Sequence, residues 1–240
     1  MRCAIMQPTY LPWSGFFDLI DSVDVFVFLD NVKLEKSSWH VRNQIKSAQG
    51  AMMLTVPVST PNGRLETMIN ETLLSTKPWQ KKHLKSLITN YSKAPFFNEV
   101  YPVVETILQQ PFDNLAQLNI TLIKTLCKQL SITTPLVTAS EMASITGVKD
   151  ERLVSICQQL GANHYLSPVG AADYIEKNTK GGALTKANIK LSYQRYQAPI
   201  YPQLYGEFVS HLSIFDALFN CGFINTLKLI RENSDRSELI

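Results

Sequence analysis

The first thirty residues alternate short apolar runs with polar, proline-bearing segments. Residues 3–6 and 25–29 are apolar runs that predict two buried strands. Between them, the segment FFDLIDSV repeats apolar residues at helical spacing, so it predicts one or two turns of helix. Strand, helix and strand in this order outline a right-handed βαβ unit, and therefore the start of a parallel sheet.

The same pattern continues along the chain and predicts its architecture. Strands are expected at residues 52–58, 67–74, 135–139, 164–166 and 189–193. Helices are expected at 77–91, within 95–131, before Gly161 and at the C-terminal end. Together these strands and helices predict an α/β fold with a largely parallel, open, Rossmann-like sheet. We expect a single domain over residues 1–240 with a helical insertion at 76–131.

Composition narrows the class of protein. The 240 residues are 45% hydrophobic and 18% charged, which is typical of a globular domain. A net charge of +3 is too mild to argue for DNA binding, but it suits a nucleotide or a phosphorylated substrate. No secretion signal and no run of 18 apolar residues is present, so we expect no membrane insertion and a cytoplasmic location.

Cysteine usage gives no sign of a metal site. The four cysteines are scattered, each in an apolar context, and no CxxC pair or histidine-rich tract accompanies them. They are therefore expected to be buried free thiols.

The first candidate site is the loop after the first strand, which contains Gln7, Thr9, Tyr10 and Trp13. Ligands of open parallel sheets bind beyond the carboxyl ends of the strands. The loop also precedes a helix whose free N–H groups can hold an anion. The alternative is that Tyr10 and Trp13 are core aromatics beneath a tight turn.

The second candidate site is the segment KLEKSSWHVRNQIK. It contains Lys36, Trp39, His40, Arg42 and Asn43, whose side chains suit phosphate, carboxylate and amide groups. A solvated basic face is the other explanation of such a run.

The third candidate site is the polar loop after the strand at 164–166. Ser167 and Gly170 lie in this loop, where ligand contacts are expected by the same carboxyl-end argument. No G-x-S-x-G elbow surrounds Ser167, so we expect a cap or a ligand contact there and not a nucleophile.

Several of these segments resemble one known family. The segments are QPTYLPWSGFFDLI, the K-x-x-W-H-x-R-N-x-I-K pattern, GANHYLSPVGAADYI and YQAPIYPQLYGEFVSHLSIFDALFNCG. Together they look like the WbqC-like protein family, and they cover nearly all of the chain except its helical middle. That family occurs in bacterial O-antigen gene clusters, and its members have been proposed to be glycine transferases. The resemblance implies that the run at 67–74 closes the same sheet. It also implies a transferase that attaches glycine, or another small acyl group, to the amine of a nucleotide-linked amino-deoxysugar.

Under this hypothesis the candidate residues take distinct roles. His40 is the expected base that deprotonates the amine, because histidine titrates near neutral pH. Arg42 and Lys36 would hold phosphate or carboxylate, Asn43 and Gln7 would orient polar groups, and Tyr10 or Trp13 would stack on a base or sugar. The acyl donor stays open between aminoacyl-tRNA, a carrier-protein thioester and ATP activation, and no cofactor is identified.

Two other functions remain open. The first is a non-catalytic protein that binds or scaffolds a sugar nucleotide in the same pathway. The second is a nucleotidyltransferase, because the opening segment has the shape of the H-x-G-H loop of nucleotidylyltransferases and pantothenate synthetases. Here W-S-G-F stands in place of H-x-G-H, and the loss of both histidines weighs against adenylyl transfer by that mechanism.

Overall fold

A computed structural model describes residues 1–35, 38–63, 66–177 and 179–235. The strands are β1 (Arg2–Met6), β2 (Val25–Phe28), β3 (Arg42–Ser47), β4 (Gly50–Thr55), β5 (Val58–Ser59), β6 (Leu73–Leu74), β7 (Leu136–Thr138), β8 (His164–Ser167) and β9 (Lys190–Tyr193). The helices are α1 (Ser14–Asp21), α2 (Trp79–Tyr91), α3 (Phe97–Leu108), α4 (Leu115–Gln129), α5 (Asp150–Leu160), α6 (Ala172–Ile175), α7 (Gly182–Lys186) and α8 (Ile214–Glu232).

Five strands form one open sheet in the order β7-β2-β1-β8-β9, and every pair in it is parallel. The predicted α/β class with a largely parallel sheet is therefore confirmed. The chain leaves β1 towards β2 on one side and returns later to place β8 on the other side. The strand order thus reverses at β1, and the crevice outside the carboxyl ends of β1 and β8 is the expected ligand position.

Helices cover both faces of this sheet, because successive side chains of a strand point to opposite sides. Ala4 and Phe26 face a large core that also contains residues of α1, α2, α3, α4 and α8. Cys3 and Val25 face a smaller core shared with α5, α6 and α7. Both cores exclude water from β1 and β2, which explains why these strands are continuous apolar runs in the sequence.

The region at 52–74 differs from the prediction. The run at 67–74 does not join the main sheet; it forms a 3-10 turn at Ile69–Glu71 and then β6, which pairs antiparallel with β5. Pro57 divides the expected strand at 52–58 into β4 and β5, since proline cannot donate to a ladder. β3 was not predicted, and it forms an antiparallel hairpin with β4.

The helical middle of the chain follows the predicted pattern. The helices α2, α3 and α4 lie within or beside the predicted insertion and contribute to the large core. The boundaries of the insertion and the single-domain organisation stay predictions. None of the described helices is both long and apolar enough to cross a membrane.

The last helix bends at Gly222. This residue has φ +75°, and a Cβ there would overlap the Phe96 ring, so glycine suits the position on both counts. The bend divides α8 into two helical halves.

Candidate functional site

The first two candidate loops lie against each other at the carboxyl edge of the sheet. The Tyr10 amide donates to the Trp39 carbonyl at 2.9 Å. The Asn43 side-chain amide donates to the carbonyls of Leu11, at 2.7 Å, and Tyr10, at 3.3 Å. These bonds join segments 7–13 and 38–43 into one surface.

The same two loops are also held by a residue of α4. Asn119 is fully buried, and its amide nitrogen donates to the Pro8 carbonyl at 3.1 Å and to the His40 carbonyl at 2.9 Å. A buried carbonyl without a hydrogen-bond partner lowers the free energy of unfolding. The Asn119 side chain supplies the missing donor to one buried carbonyl in each loop. The helical middle of the chain thus takes part in building the site.

A cavity of about 200 Å³ opens on this surface. It gathers four of the predicted site residues, Thr9, Trp13, Trp39 and Asn43. The remaining lining residues are Met6, Pro12, Phe16 and His211. Its wall is mostly apolar and aromatic, with few polar groups, as is usual for sites that bind small molecules.

The two tryptophans differ in how firmly they are held. The Trp13 ring packs over Gly15 in the first turn of α1, where any side chain would overlap it. It also meets Tyr196 edge-on, with 5.4 Å between ring centroids. Trp39 is 53% exposed as a residue, so its ring offers an apolar face that no described residue covers completely.

His211 is the lining residue that the sequence interpretation missed. Its ring lies on Trp13, with a centroid distance of 5.0 Å and an interplanar angle of 31°. The side chain is exposed, and Nδ1 lies 3.0 Å from the Ser210 hydroxyl. The residue lies in a segment that carries the family resemblance, but nothing in the local sequence indicates that it reaches the N-terminal loop.

His40, the predicted base, is buried. Only 4% of the residue is exposed, it does not line the cavity, and its Nδ1 has no hydrogen-bond partner among the described residues. Burial disfavours the charged imidazolium and lowers the pKa of His40 to about 4. The catalytic role of His40 stays a prediction, and this environment weighs against it.

Tyr10 lies in the core and not in the cavity. Its hydroxyl donates to Nδ1 of His83 at 2.8 Å, and Nε2 of His83 donates to the Thr55 carbonyl at 3.2 Å. Burial raises the pKa of Tyr10 well above its ordinary value. Stacking of Tyr10 on a ligand would require the core to open, so the structure favours Trp13 for that role.

Gln7, Ser167 and Gly170 lie at the crevice between β1 and β8 but do not line the cavity. Gln7 follows β1 directly and is half-buried. Ser167 is fully buried at the end of β8 and its hydroxyl donates to the Pro168 carbonyl at 3.2 Å. Gly170 is exposed. Their ligand contacts stay predictions.

The two predicted cations of the site are Arg42 and Lys36. Arg42 is half-buried at the start of β3, and its Nε has no hydrogen-bond partner among the described residues. Lys36 lies outside the described residues. A phosphate-binding role for both stays a prediction.

A buried lysine next to this surface holds the segment that precedes His211. Lys46 is 1% exposed, and its Nζ donates to Gln203 Oε1 at 2.9 Å and to the Glu207 carbonyl. Gln203 in turn accepts from the Val209 amide and donates to the Val209 carbonyl, both at 2.9 Å. Lys46 therefore anchors residues 203–209 through one side-chain amide.

A buried carboxylate lies in the same cluster. Asp216 is fully buried in the first turn of α8, and its Oδ1 accepts from the Tyr91 hydroxyl at 2.8 Å. Burial raises the pKa of Asp216, while the hydroxyls of Tyr91 and Tyr201 and the charge of Lys46 act in the opposite direction.

The described residues contain no group of three or more histidine, cysteine, aspartate or glutamate side chains placed to hold a metal ion. The four cysteines are free and buried, as predicted. The Sγ atoms of Cys3 and Cys157 lie 3.4 Å apart in the smaller core.

The buried histidines are expected to make stability fall on acidification. The pKa of His83 is lowered to about 4, chiefly by burial. Unfolded histidine titrates near 6.5, so this contribution is complete above about pH 6.5 and is lost as the pH falls towards 4. Between pH 7 and pH 5, His83 should account for a loss of about 2 kcal/mol in the free energy of unfolding. Burial also lowers the pKa of His40 to about 4, so His40 likewise makes the free energy of unfolding fall on acidification.

Urea denaturation at both pH values measures this effect. The variant His83→Gln removes one titrating group and should lose about 2 kcal/mol less than the wild type over the same interval. Equal losses in the two proteins would show that His83 is not buried as a neutral imidazole.

Comparison with known proteins places the chain in a family. The WbqC-like protein family matches residues 7–227. An uncharacterized protein of Mycobacterium tuberculosis, Rv1507c, is 37% identical over 223 residues, which cover 92% of this chain and 94% of that protein. No solved structure matches the chain. Because the match runs from the first candidate loop to the last helix, the chain belongs to the WbqC-like protein family.

Proposed function

We propose that this protein is a transferase of bacterial O-antigen or related surface polysaccharide biosynthesis. In this proposal it attaches glycine, or another small acyl group, to the amine of a nucleotide-linked amino-deoxysugar. The cavity between Trp13 and Trp39 is the observation that carries the proposal. The family resemblance supplies the pathway and the class of reaction, while the homologue of M. tuberculosis is uncharacterized and supplies neither.

The size of the cavity favours a single ring. Its volume of about 200 Å³ is below the roughly 300–1,000 Å³ typical of pockets that enclose a whole ligand. A sugar ring or a base fits between aromatic walls, and the rest of a sugar nucleotide would lie along the open surface.

The lining residues divide into those that contact the ligand and those that shape the cavity. Trp39 offers an exposed face for stacking, Trp13 forms an aromatic wall, and Thr9 offers a hydroxyl. The Asn43 amide already bonds to the carbonyls of Tyr10 and Leu11, so we assign it to holding the loop and not to orienting substrate.

The reaction we propose is an acyl transfer. The amine nitrogen attacks the carbonyl carbon of an activated glycyl group, a C–N bond forms, and the C–O or C–S bond to the donor breaks. One proton leaves the nitrogen, and the departing oxygen or sulfur takes one up. Aminoacyl-tRNA, a carrier-protein thioester and a glycyl adenylate formed with ATP all satisfy this scheme as donors.

A non-catalytic sugar-nucleotide-binding protein is the second candidate. The burial of His40 favours it, because the base expected from the sequence is not exposed to the cavity. The two functions make the same binding prediction and differ only in whether product forms.

Replacing Trp39 with alanine should weaken ligand binding without affecting folding. Loss of one stacking partner costs about 1–3 kcal/mol, which corresponds to a fall in affinity of roughly 5- to 150-fold. Trp39 is 53% exposed, so the melting temperature should change little. Calorimetric titration with UDP- and dTDP-linked amino-deoxyhexoses measures the affinity.

The control is Ile224→Ala, which removes an 85% exposed apolar side chain of α8 that does not line this cavity. It should bind the same sugar nucleotides as tightly as the wild type. Wild-type affinity in Trp39→Ala would exclude this cavity as the binding site.

The transferase function itself is tested by incubating the wild type with these acceptors and each donor. The donors are glycyl-tRNA, a glycyl pantetheine thioester, and glycine with ATP. Mass spectrometry should find an acceptor that has gained one glycyl group. Binding without product from any donor would favour the non-catalytic function.

A further inference from the structure

The proposed transfer requires a proton acceptor at the cavity, since an amine attacks only when it is unprotonated. Histidine suits this task near neutral pH. The chain has four histidines, and three of them, His40, His83 and His164, are buried. Only His211 lines the cavity.

The other buried histidines are also engaged by neighbouring groups. His83 lies between the Tyr10 hydroxyl and the Thr55 carbonyl. His164 lies at the opposite, amino-terminal end of the sheet. Its Nδ1 accepts from Arg2 at 3.4 Å, so the proton on Nε2 points to the Ser192 hydroxyl 2.9 Å away. In this arrangement His164 cannot accept a proton from Ser192.

The orientation of His211 leaves one ring nitrogen for a ligand. Nδ1 bonds to the Ser210 hydroxyl, whereas Nε2 makes no hydrogen bond to any described residue. One face of the ring lies on Trp13, which restricts its rotation. An Nδ1–H donated to Ser210 leaves the Nε2 lone pair available as a base.

The backbone on both sides of His211 is anchored. Two residues before it, Val209 is bonded at both its amide and its carbonyl to Gln203, which Lys46 holds. Two residues after it, the Ser213 amide donates to the Gln44 carbonyl at 2.8 Å. His211 itself has φ +58°, an unusual conformation for a residue with a side chain and one often found at functional sites.

We propose that His211 is a catalytic residue that takes the proton from the acceptor amine in this cavity. The proposal rests on the proposed transferase function. As the amine nitrogen forms its bond to the glycyl carbon, its N–H proton passes to Nε2 of His211. The bond between the glycyl carbon and the oxygen or sulfur of the donor breaks, and the leaving group receives that proton from the imidazolium. His211 is then neutral for the next turnover.

The experiment compares His211→Gln and His211→Ala with the wild type, using the acceptors and donors given above. Glutamine keeps hydrogen-bonding capacity but cannot act as a base near neutral pH. Turnover by His211→Gln should fall by about 100-fold or more, the usual contribution of general base catalysis. Acceptor affinity, measured by calorimetry, should stay within about threefold because binding rests on the tryptophans. Added imidazole should restore part of the turnover of His211→Ala.

The outcomes separate this inference from the function on which it rests. Full turnover by His211→Gln, or loss of turnover in His40→Gln alone, would overturn the role of His211 while leaving the transferase function intact. A loss of turnover that imidazole does not restore, together with weaker binding of the acceptor, would make His211 a binding residue and also overturn the proposal. If the wild type binds acceptors but forms no product from any donor, the transferase function fails and the role of His211 fails with it.

Discussion

Replacing Lys46 with methionine is expected to lower the free energy of unfolding by about 3–5 kcal/mol, the usual cost of removing one charge from a buried charged cluster. Lys46 is 1% exposed and donates to Gln203 and to the Glu207 carbonyl. Without it, both acceptors lose a buried donor, and the carboxylate of Asp216 loses the cation that favours its charged form.

Urea denaturation followed by circular dichroism measures the effect. The matched control is Lys85→Met, which replaces an exposed lysine of α2 and should change the free energy of unfolding by no more than about 0.5 kcal/mol. The double variant Lys46→Met/Asp216→Asn should recover part of the loss, because the unpaired buried carboxylate is then removed. Equal stability of the two single variants would show that Lys46 is solvated.

Replacing Asn119 with alanine should cost about 2–5 kcal/mol of the free energy of unfolding, since two buried carbonyls lose their donor and a cavity opens. The carbonyls belong to Pro8 and His40, one in each loop of the site. The loops should therefore separate more readily, and affinity for the sugar nucleotide should fall although Asn119 does not line the cavity.

The control for this variant is Asn225→Ala. Asn225 is exposed on α8 and bonds only to the Cys221 carbonyl within its own helix, so its loss should have little effect on stability or binding. If Asn119→Ala were as stable as Asn225→Ala, the hydrogen bonds from Asn119 to the two loops would not stabilise the protein, and this would contradict the role proposed for Asn119.

The parallel sheet could be predicted because its central strands β1 and β2 are buried on both faces. The runs at 3–6 and 25–28, which form all of β1 except Arg2 and all of β2, contain only apolar residues, and the helix between them repeats its apolar residues at the helical period. The hairpin strand β3 could not be predicted in this way. Arg42, Asn43, Gln44 and Lys46 are polar, and the side chains of Asn43 and Lys46 are held by partners distant in sequence.

The candidate site could be predicted only in part, because burial and contacts between distant segments are not visible in the sequence. Trp13 was found because it follows a strand end, where ligands of parallel sheets bind, and Trp39 because it lies in a segment whose side chains suit phosphate, carboxylate and amide groups. Residue type alone does not reveal burial, so the sequence could not separate exposed Trp39 from buried Tyr10 and His40. His211 and Asn119 reach the site only through tertiary packing, and neither had a local pattern to indicate it.

The position of β1 in the middle of the sheet has a consequence for how the chain is made. β1 and β2 are adjacent in the chain and can pair early in synthesis, but β8 leaves the ribosome only after the helices α2 to α5. Until then one edge of an apolar strand has no partner, and such edges pair readily with other chains. We therefore expect newly made chains to be at greatest risk of aggregation during this interval, when strand β1 awaits its second neighbour.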